Sequence, residues 1–61
     1  MNIIIKPSVG ESFIVINEGK EIVCFNQKEA LSYARRVQSI TKQEISIFNA
    51  LGILIKKESI L

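Results

Sequence analysis

Hydrophobic and polar residues are arranged in two different ways along this 61-residue chain. Short runs rich in Ile and Val, which are typical of strands, lie before residue 25 and after residue 43. Between them, apolar residues recur every three or four positions, which is the period of an amphipathic helix. The pattern therefore predicts three strands, one helix and two further strands, in the order β-β-β-α-β-β.

The helix is predicted over residues 25–40, because the signals for its start and for its buried face agree. Asn26 is a favourable N-cap, and Glu29 is placed to accept from the backbone N–H of Asn26 itself. The side expected to pack on the sheet contains Ala30, Leu31, Tyr33, Ala34, Val37 and Ile40. The side expected to face water contains Lys28, Ser32, Arg35, Arg36 and Ser39.

The strands are predicted from apolar runs that are bounded by turn residues. Pro7 cannot donate to a β-ladder and ends the first strand. Gly19 permits a tight hairpin between the second and third strands, and Gly52 is placed to adopt the left-handed conformation between the last two. Residues 58–61 are expected to be a frayed end. The five predicted strands are residues 2–6, 11–17, 21–25, 44–48 and 53–57.

One helix covers only one face of such a sheet, so the sidedness of the strands is informative. Successive side chains on a strand alternate, and Phe13 and Val15 under the helix therefore leave Ile14 and Ile16 on the other face. Two-layer domains of this size ordinarily expose polar residues on that face. Here we expect it to be partly apolar.

The last two strands leave the strand order open. In the final strand, Ile53 and Ile55 on one face leave Leu54 on the other. The hairpin that this strand forms with residues 44–48 could join either edge of the first three strands.

Composition narrows the class of protein. Residues 1–61 are enough for a single small domain, close to the lower size at which a chain folds alone. A hydrophobic content of 48% argues against disorder. With one Cys and no His, the chain cannot form an intramolecular disulfide or complete a His-containing zinc site. Stability must come from the core or from self-association.

The charge and the reactive residue types argue against several kinds of function. The net charge of +2 is spread along the chain, which argues against strong attraction to nucleic acid or anionic lipid. Cys24 has no histidine to activate it and is interpreted as a small buried hydrophobe. Hydroxyls and carboxylates occur singly, so we expect no enzyme activity, cofactor or small-molecule ligand.

The N-terminal apolar run is too short for a signal peptide, and no stretch approaches the roughly 18 to 20 apolar residues of a membrane span. We therefore expect a soluble, cytoplasmic protein without membrane contact.

Three groups of residues follow the pattern of a known family. They are Phe13-Ile14-Val15, the segment from Phe25 through Gln27-Lys28-Glu29-Ala30 to Tyr33-Ala34-Arg35, and Ile45-Ser46-Ile47 with Gly52-Ile53. Over roughly residues 5–55 the chain resembles domain of unknown function 2188, a family of small bacterial and phage proteins. It departs from that family at Phe13, where members usually have Trp, and at Leu51, where Asp or Asn commonly precedes the glycine. The resemblance implies an α+β architecture and no particular activity.

Two surfaces are candidates for binding. The first is an apolar patch on the uncovered sheet face, formed by Ile14, Ile16, Phe48 and Leu54, and such patches usually mark contact with another chain. In the alternative interpretation, these side chains fill a minor core.

The second candidate surface is basic and lies on the helix. Lys28, Arg35 and Arg36, with Lys42, could sit against a phosphate backbone. In the alternative interpretation they form a solvated face, with cations favoured near the helix C-terminus.

We therefore expect an α+β domain with a mainly antiparallel five-stranded sheet and one helix packed on one face. Its expected role is that of a non-enzymatic protein-interaction module, either a homodimer or an accessory or inhibitory subunit. It would bind through the open sheet face or an edge strand. Weak, sequence-independent binding of nucleic acid through the basic helix surface is the alternative function.

Overall fold

The computed structural model describes residues 2–59, and these form one five-stranded sheet and one helix. The elements are β1 (Asn2–Pro7), β2 (Phe13–Asn17), β3 (Lys20–Cys24), α1 (Gln27–Thr41), β4 (Glu44–Phe48) and β5 (Leu54–Glu58). The predicted α+β class and element order are confirmed. Glu58, predicted to lie in a frayed end, is instead the last residue of β5, and residues 60 and 61 of that predicted end lie outside the described residues.

The sheet has the order β3-β2-β1-β4-β5, so the first strand of the chain is the central one. Three of the four neighbouring pairs are antiparallel, and β1 pairs with β4 in parallel. The predicted mainly antiparallel sheet is thus confirmed. The final hairpin joins the β1 edge, because α1 carries the chain back across β2 and β1 before β4 begins.

The two tight turns follow the residue types in the sequence. Glu18 and Gly19 have φ values of 52° and 80°, as required at both centres of the hairpin turn that matches strand twist. Gly52 has a φ of 81°, and its N–H donates to the Asn49 carbonyl at 3.0 Å. The Asn49 side chain also accepts from the Leu51 and Ile53 N–H groups, which fixes the β4–β5 turn.

The N-cap of α1 is confirmed, with one change in its second bond. Asn26 Oδ1 accepts from the Glu29 N–H at 2.9 Å. The Glu29 carboxylate accepts at 3.4 Å from the N–H of Phe25, one residue before the predicted donor, Asn26. At the other end, Lys42 adopts a left-handed conformation and its N–H donates to the Gln38 carbonyl, so the helix ends at Thr41.

The core lies between α1 and one face of the sheet. Ala30 and Ala34 are completely buried, because their small side chains allow the helix to approach the strands closely. Phe13, Leu31, Tyr33 and Val37 are partly buried against this core. The buried hydrophobic residues are Ile3, Ile5, Val15, Cys24, Ala30, Ala34, Ile45 and Ile47.

One residue of the predicted buried helix face is misplaced. Ile40 is 77% exposed. It follows Ala34 by six residues, which at about 100° per residue puts it about 120° away from the buried stripe. Gln38, four residues after Ala34, occupies the stripe instead and is buried.

Candidate protein-binding surface

The face of the sheet opposite α1 has no covering layer within residues 2–59, and we call it the open face. Its members alternate with the buried core residues along each strand. On β1, for example, Ile3 and Ile5 are completely buried under the helix, so Ile4 and Lys6 point to the open face. The strand registers then assign Ile14, Ile16, Glu21, Val23, Glu44, Ser46, Phe48, Leu54 and Lys57 to the same face.

The registers arrange most of the open face in two rows that cross the strands, and Glu44, which pairs with Asn2, lies outside both rows. The first row, from β3 to β5, contains Glu21, Ile16, Ile4, Ser46 and Lys57. In the second row, Val23 pairs with Ile14 and Ile14 with Lys6, while Phe48 pairs with Leu54. The register that pairs Ile5 with Ile47 sets Phe48 beside Lys6, one residue further along. Each row thus combines apolar residues with one or two charges.

All four residues of the predicted apolar patch lie on the open face. Ile14 and Ile16 are half-buried on β2, and Phe48 is half-buried on β4. Leu54, its partner on β5, is 41% exposed. The two pairs are separated by β1, so the patch is continuous only through the residues that β1 contributes.

Two further apolar residues of the open face were not among the predicted site residues. Ile4 is half-buried between Ile16 and Ser46, and Val23 is 66% exposed at the β3 end of the second row. Both follow from simple alternation, because Ile4 lies between two buried residues and Val23 precedes buried Cys24. Lys6 adds a positive charge near the middle of the second row.

A bulge changes which side chains of β5 face the helix. Ile47 pairs with Lys56 but Phe48 pairs with Leu54, so Ile55 is an extra residue on β5. Lys56 and Glu58 consequently lie on the helix side. The expected regular strand over residues 53–57 is therefore wrong, since Ile53 precedes β5 and Ile55 lies in the bulge.

A polar network joins α1 to this last strand. Both oxygens of the Glu58 carboxylate accept from Arg35, at 3.2 Å from Nε and 3.1 Å from Nη2, and Lys56 Nζ lies 3.4 Å away. Gln38 Nε2 donates to the Glu58 backbone carbonyl at 2.9 Å. The hydrogen bonds from Arg35 hold the pKa of Glu58 below its ordinary value, and Glu58 in turn raises the pKa of Arg35.

This network reduces the number of helix cations that are free to bind a phosphate. Arg35 is engaged by Glu58, while Lys28, Arg36 and Lys42 are exposed and form no salt bridge with another described residue. Lys28 and Lys42 are separated by roughly 21 Å along the helix axis, at about 1.5 Å per residue. The four predicted cations are therefore spread along the helix and do not form a cluster.

Cys24 lies in the core under the helix start. Burial is the main cause that raises the pKa of its thiol, and the Glu29 carboxylate raises it further. The thiolate is therefore disfavoured at neutral pH. In the described part of the chain there is no cavity, and no group of three or more His, Cys, Asp or Glu is placed to hold a metal ion. No helix among residues 2–59 has the length and apolar character needed to cross a membrane.

Comparison with known proteins adds no assignment, since no family model, curated protein or solved structure matches the chain significantly. The resemblance to domain of unknown function 2188 stays a prediction.

Proposed function

We propose that this protein is a small, non-enzymatic interaction module that binds another protein chain through the open face. The observation that carries the proposal is the contrast between this face and an ordinary outer sheet face, which is polar. Six of its residues are apolar and come from all five strands: Ile4, Ile14, Ile16, Val23, Phe48 and Leu54. Contiguous apolar patches with a charged rim are typical of protein contact sites.

The edge strands offer a second route to a partner, and they are not equivalent. On β5, Lys56, Lys57 and the bulge at Ile55 are features that discourage strand addition. The other edge, β3, has exposed Ile22 and Val23 next to its free backbone groups. An added strand would therefore join β3, beside the Val23 end of the open face.

Binding of nucleic acid through the helix is less well supported. Arg35, one of the predicted contacts, already forms a salt bridge with Glu58, and this salt bridge would have to break before Arg35 could reach a phosphate. A gel shift with random duplex at low salt tests this function directly. Replacement of Lys28 and Arg36 by Gln would abolish any shift that the helix surface produces, while leaving the open face unchanged.

The experiment that tests protein binding replaces two apolar residues of the open face by charges that suit their neighbours. Ile14→Glu lies opposite Lys6 and Ile16→Lys lies opposite Glu21, so the double variant keeps both the net charge and the sheet. We expect wild-type protein to self-associate or to capture a protein from its own cells, and the double variant to do neither. Light scattering and affinity capture provide the two measurements.

The matched control is Val9→Glu with Ile40→Lys. It also replaces two exposed apolar residues by one acid and one base, but both positions lie off the open face. Circular dichroism verifies that each variant is folded. Equal binding by wild type, control and open-face variant would refute the proposed function.

A further inference from the structure

We propose that the open face binds a second copy of this chain, with the two sheets face to face around a two-fold axis parallel to β1. This inference rests on the proposed function and names its partner. Packed sheets usually keep their strands aligned within about 30°, which this axis allows because β1 of one copy lies over β1 of the other.

The distribution of charge on the first row selects this partner. The row begins with exposed Glu21 on β3 and ends with exposed Lys57 on β5, the two edge strands, with β1 midway between them. A rotation of 180° about β1 exchanges the two edges. Each Glu21 then lies opposite Lys57 of the other copy, so one operation forms two complementary charge pairs.

The same rotation matches the apolar residues of the second row. Val23 comes to lie opposite Leu54, and Ile14 opposite Phe48. Side chains from both faces fill the spacing of about 10 Å between packed sheets. The most exposed apolar residue of the open face, Val23, is thereby covered.

Other face-to-face arrangements of two copies are less favourable. With an axis in the sheet plane but perpendicular to the strands, centred on the first row, Glu21 meets Glu21 and Lys57 meets Lys57. Centred between the rows, the same axis sets Glu21 against Val23 and Lys57 against Leu54. Among these arrangements, only the axis parallel to β1 pairs Glu21 with Lys57 and sets the apolar residues of the second row against each other, although it also places the two copies of Lys6 opposite one another.

Two features make this dimer weak. The first is Lys6, which lies near the axis, so that the ammonium groups of the two copies repel each other. The flexible stem of Lys6 reduces this repulsion, because it can carry the ammonium past Pro7 to the end of the sheet. Five strands about 4.8 Å apart and five residues of about 3.3 Å give roughly 400 Å² per copy. That is below the roughly 800 Å² per partner of a standard stable interface, so association should depend on concentration across the micromolar to millimolar range.

Charge reversal followed by mixing tests the geometry. Sedimentation equilibrium is measured for wild type, for Glu21→Lys and for Lys57→Glu. Lys57 also lies 3.8 Å from Glu44 in its own chain, but this partly exposed pair is weak and leaves Lys57 available. We expect each single variant to raise the dimer dissociation constant by about tenfold, because both charge pairs become repulsive.

An equimolar mixture of the two single variants should restore association. In the mixed dimer, Lys at position 21 of one copy faces Glu at position 57 of the other, and the second pair retains its native residues. The Glu11→Lys and Lys28→Glu variants carry the same charge changes at exposed positions off the open face. They should leave the dissociation constant unchanged, alone and mixed.

The remaining outcomes overturn the inference. A wild-type monomer up to 1 mM, single variants that associate normally, or a mixture that stays monomeric would each exclude this dimer. A monomer that still captures a different protein through the open face would leave the proposed function standing. A monomer that captures nothing would remove both.

Discussion

Ile4 and Ile5 are neighbours in β1, yet they lie on opposite faces of the sheet in different surroundings. Ile5 is completely buried under α1, while Ile4 is half-buried on the open face. The two residues have the same side chain, strand and local sequence. Alternation and the position of the single helix therefore decide which isoleucine belongs to the core, and hydrophobicity alone does not.

The largest effect is expected from a matched pair of truncations on the two faces. Ile5→Ala should lower the free energy of unfolding by about 3 kcal/mol, because it opens a cavity in a closed core. Ile4→Ala should cost about 1 kcal/mol or less, since water already reaches that site. Urea denaturation at low micromolar concentration measures both and avoids a contribution from self-association.

A small domain has little stability to lose, so Ile5→Ala could unfold the chain. Ile5→Val and Ile4→Val provide the milder comparison, with expected costs of about 1 kcal/mol and close to zero. If the substitutions lower the free energy of unfolding equally at the two positions, the open face is packed as tightly as the helix side.

A smaller effect is expected between α1 and β5, where hydrogen bonds and a salt bridge replace apolar packing. Gln38→Met keeps the length of the buried side chain but removes its donor to the Glu58 carbonyl, at a cost of about 1 kcal/mol. Hydrogen exchange should become faster at the β5 amides in particular. Ser39→Ala, at the next and exposed helix position, is the control and should leave that exchange unaltered.

The smallest effect concerns pH. The folded-state pKa of Glu58 lies below its ordinary value of 4.5, so its ionised form stabilises the fold above that value. This contribution is lost as the pH falls from the ordinary value through the folded-state pKa. Because Arg35 is 57% exposed, the loss should be only about 0.5 kcal/mol.

Denaturation profiles of wild type and Glu58→Gln, recorded from neutral pH into this acid range, test the prediction. The variant should have lower stability at neutral pH and a flatter acid limb, and the two curves should approach each other in acid. Parallel curves would show that the ionised Glu58 carboxylate does not contribute to the free energy of unfolding.

The elements that sequence reasoning predicted well are those specified by neighbouring residues. Asn26 and Glu29 identified the start of α1 because a cap is formed within one turn. The strands and hairpins followed from alternation and from turn residues such as Gly52. Alternation by itself also places Ile14 and Ile16 on the uncovered face.

The parts that were missed depend on residues far apart in the chain. The parallel pairing of β1 with β4 joins distant segments, and no local pattern specifies it. The bulge at Ile55 left Leu54 on its expected side but turned Lys56 and Glu58 to the helix side, which brought Glu58 to Arg35. Three missed residues did have a local signal. Gln38 continues the buried stripe of α1, and alternation along the strands marks Ile4 and Val23.

The parallel pairing of β1 and β4 also bears on how the protein assembles during synthesis. The hairpins form between adjacent segments and close short loops, which is fast. The pairing of β1 with β4 at the centre of the sheet instead requires contact between distant segments. This contact is slower to form, because closing the long loop between them costs conformational entropy. As the chain leaves the ribosome, β1 therefore keeps one unpaired edge until β4 has been made.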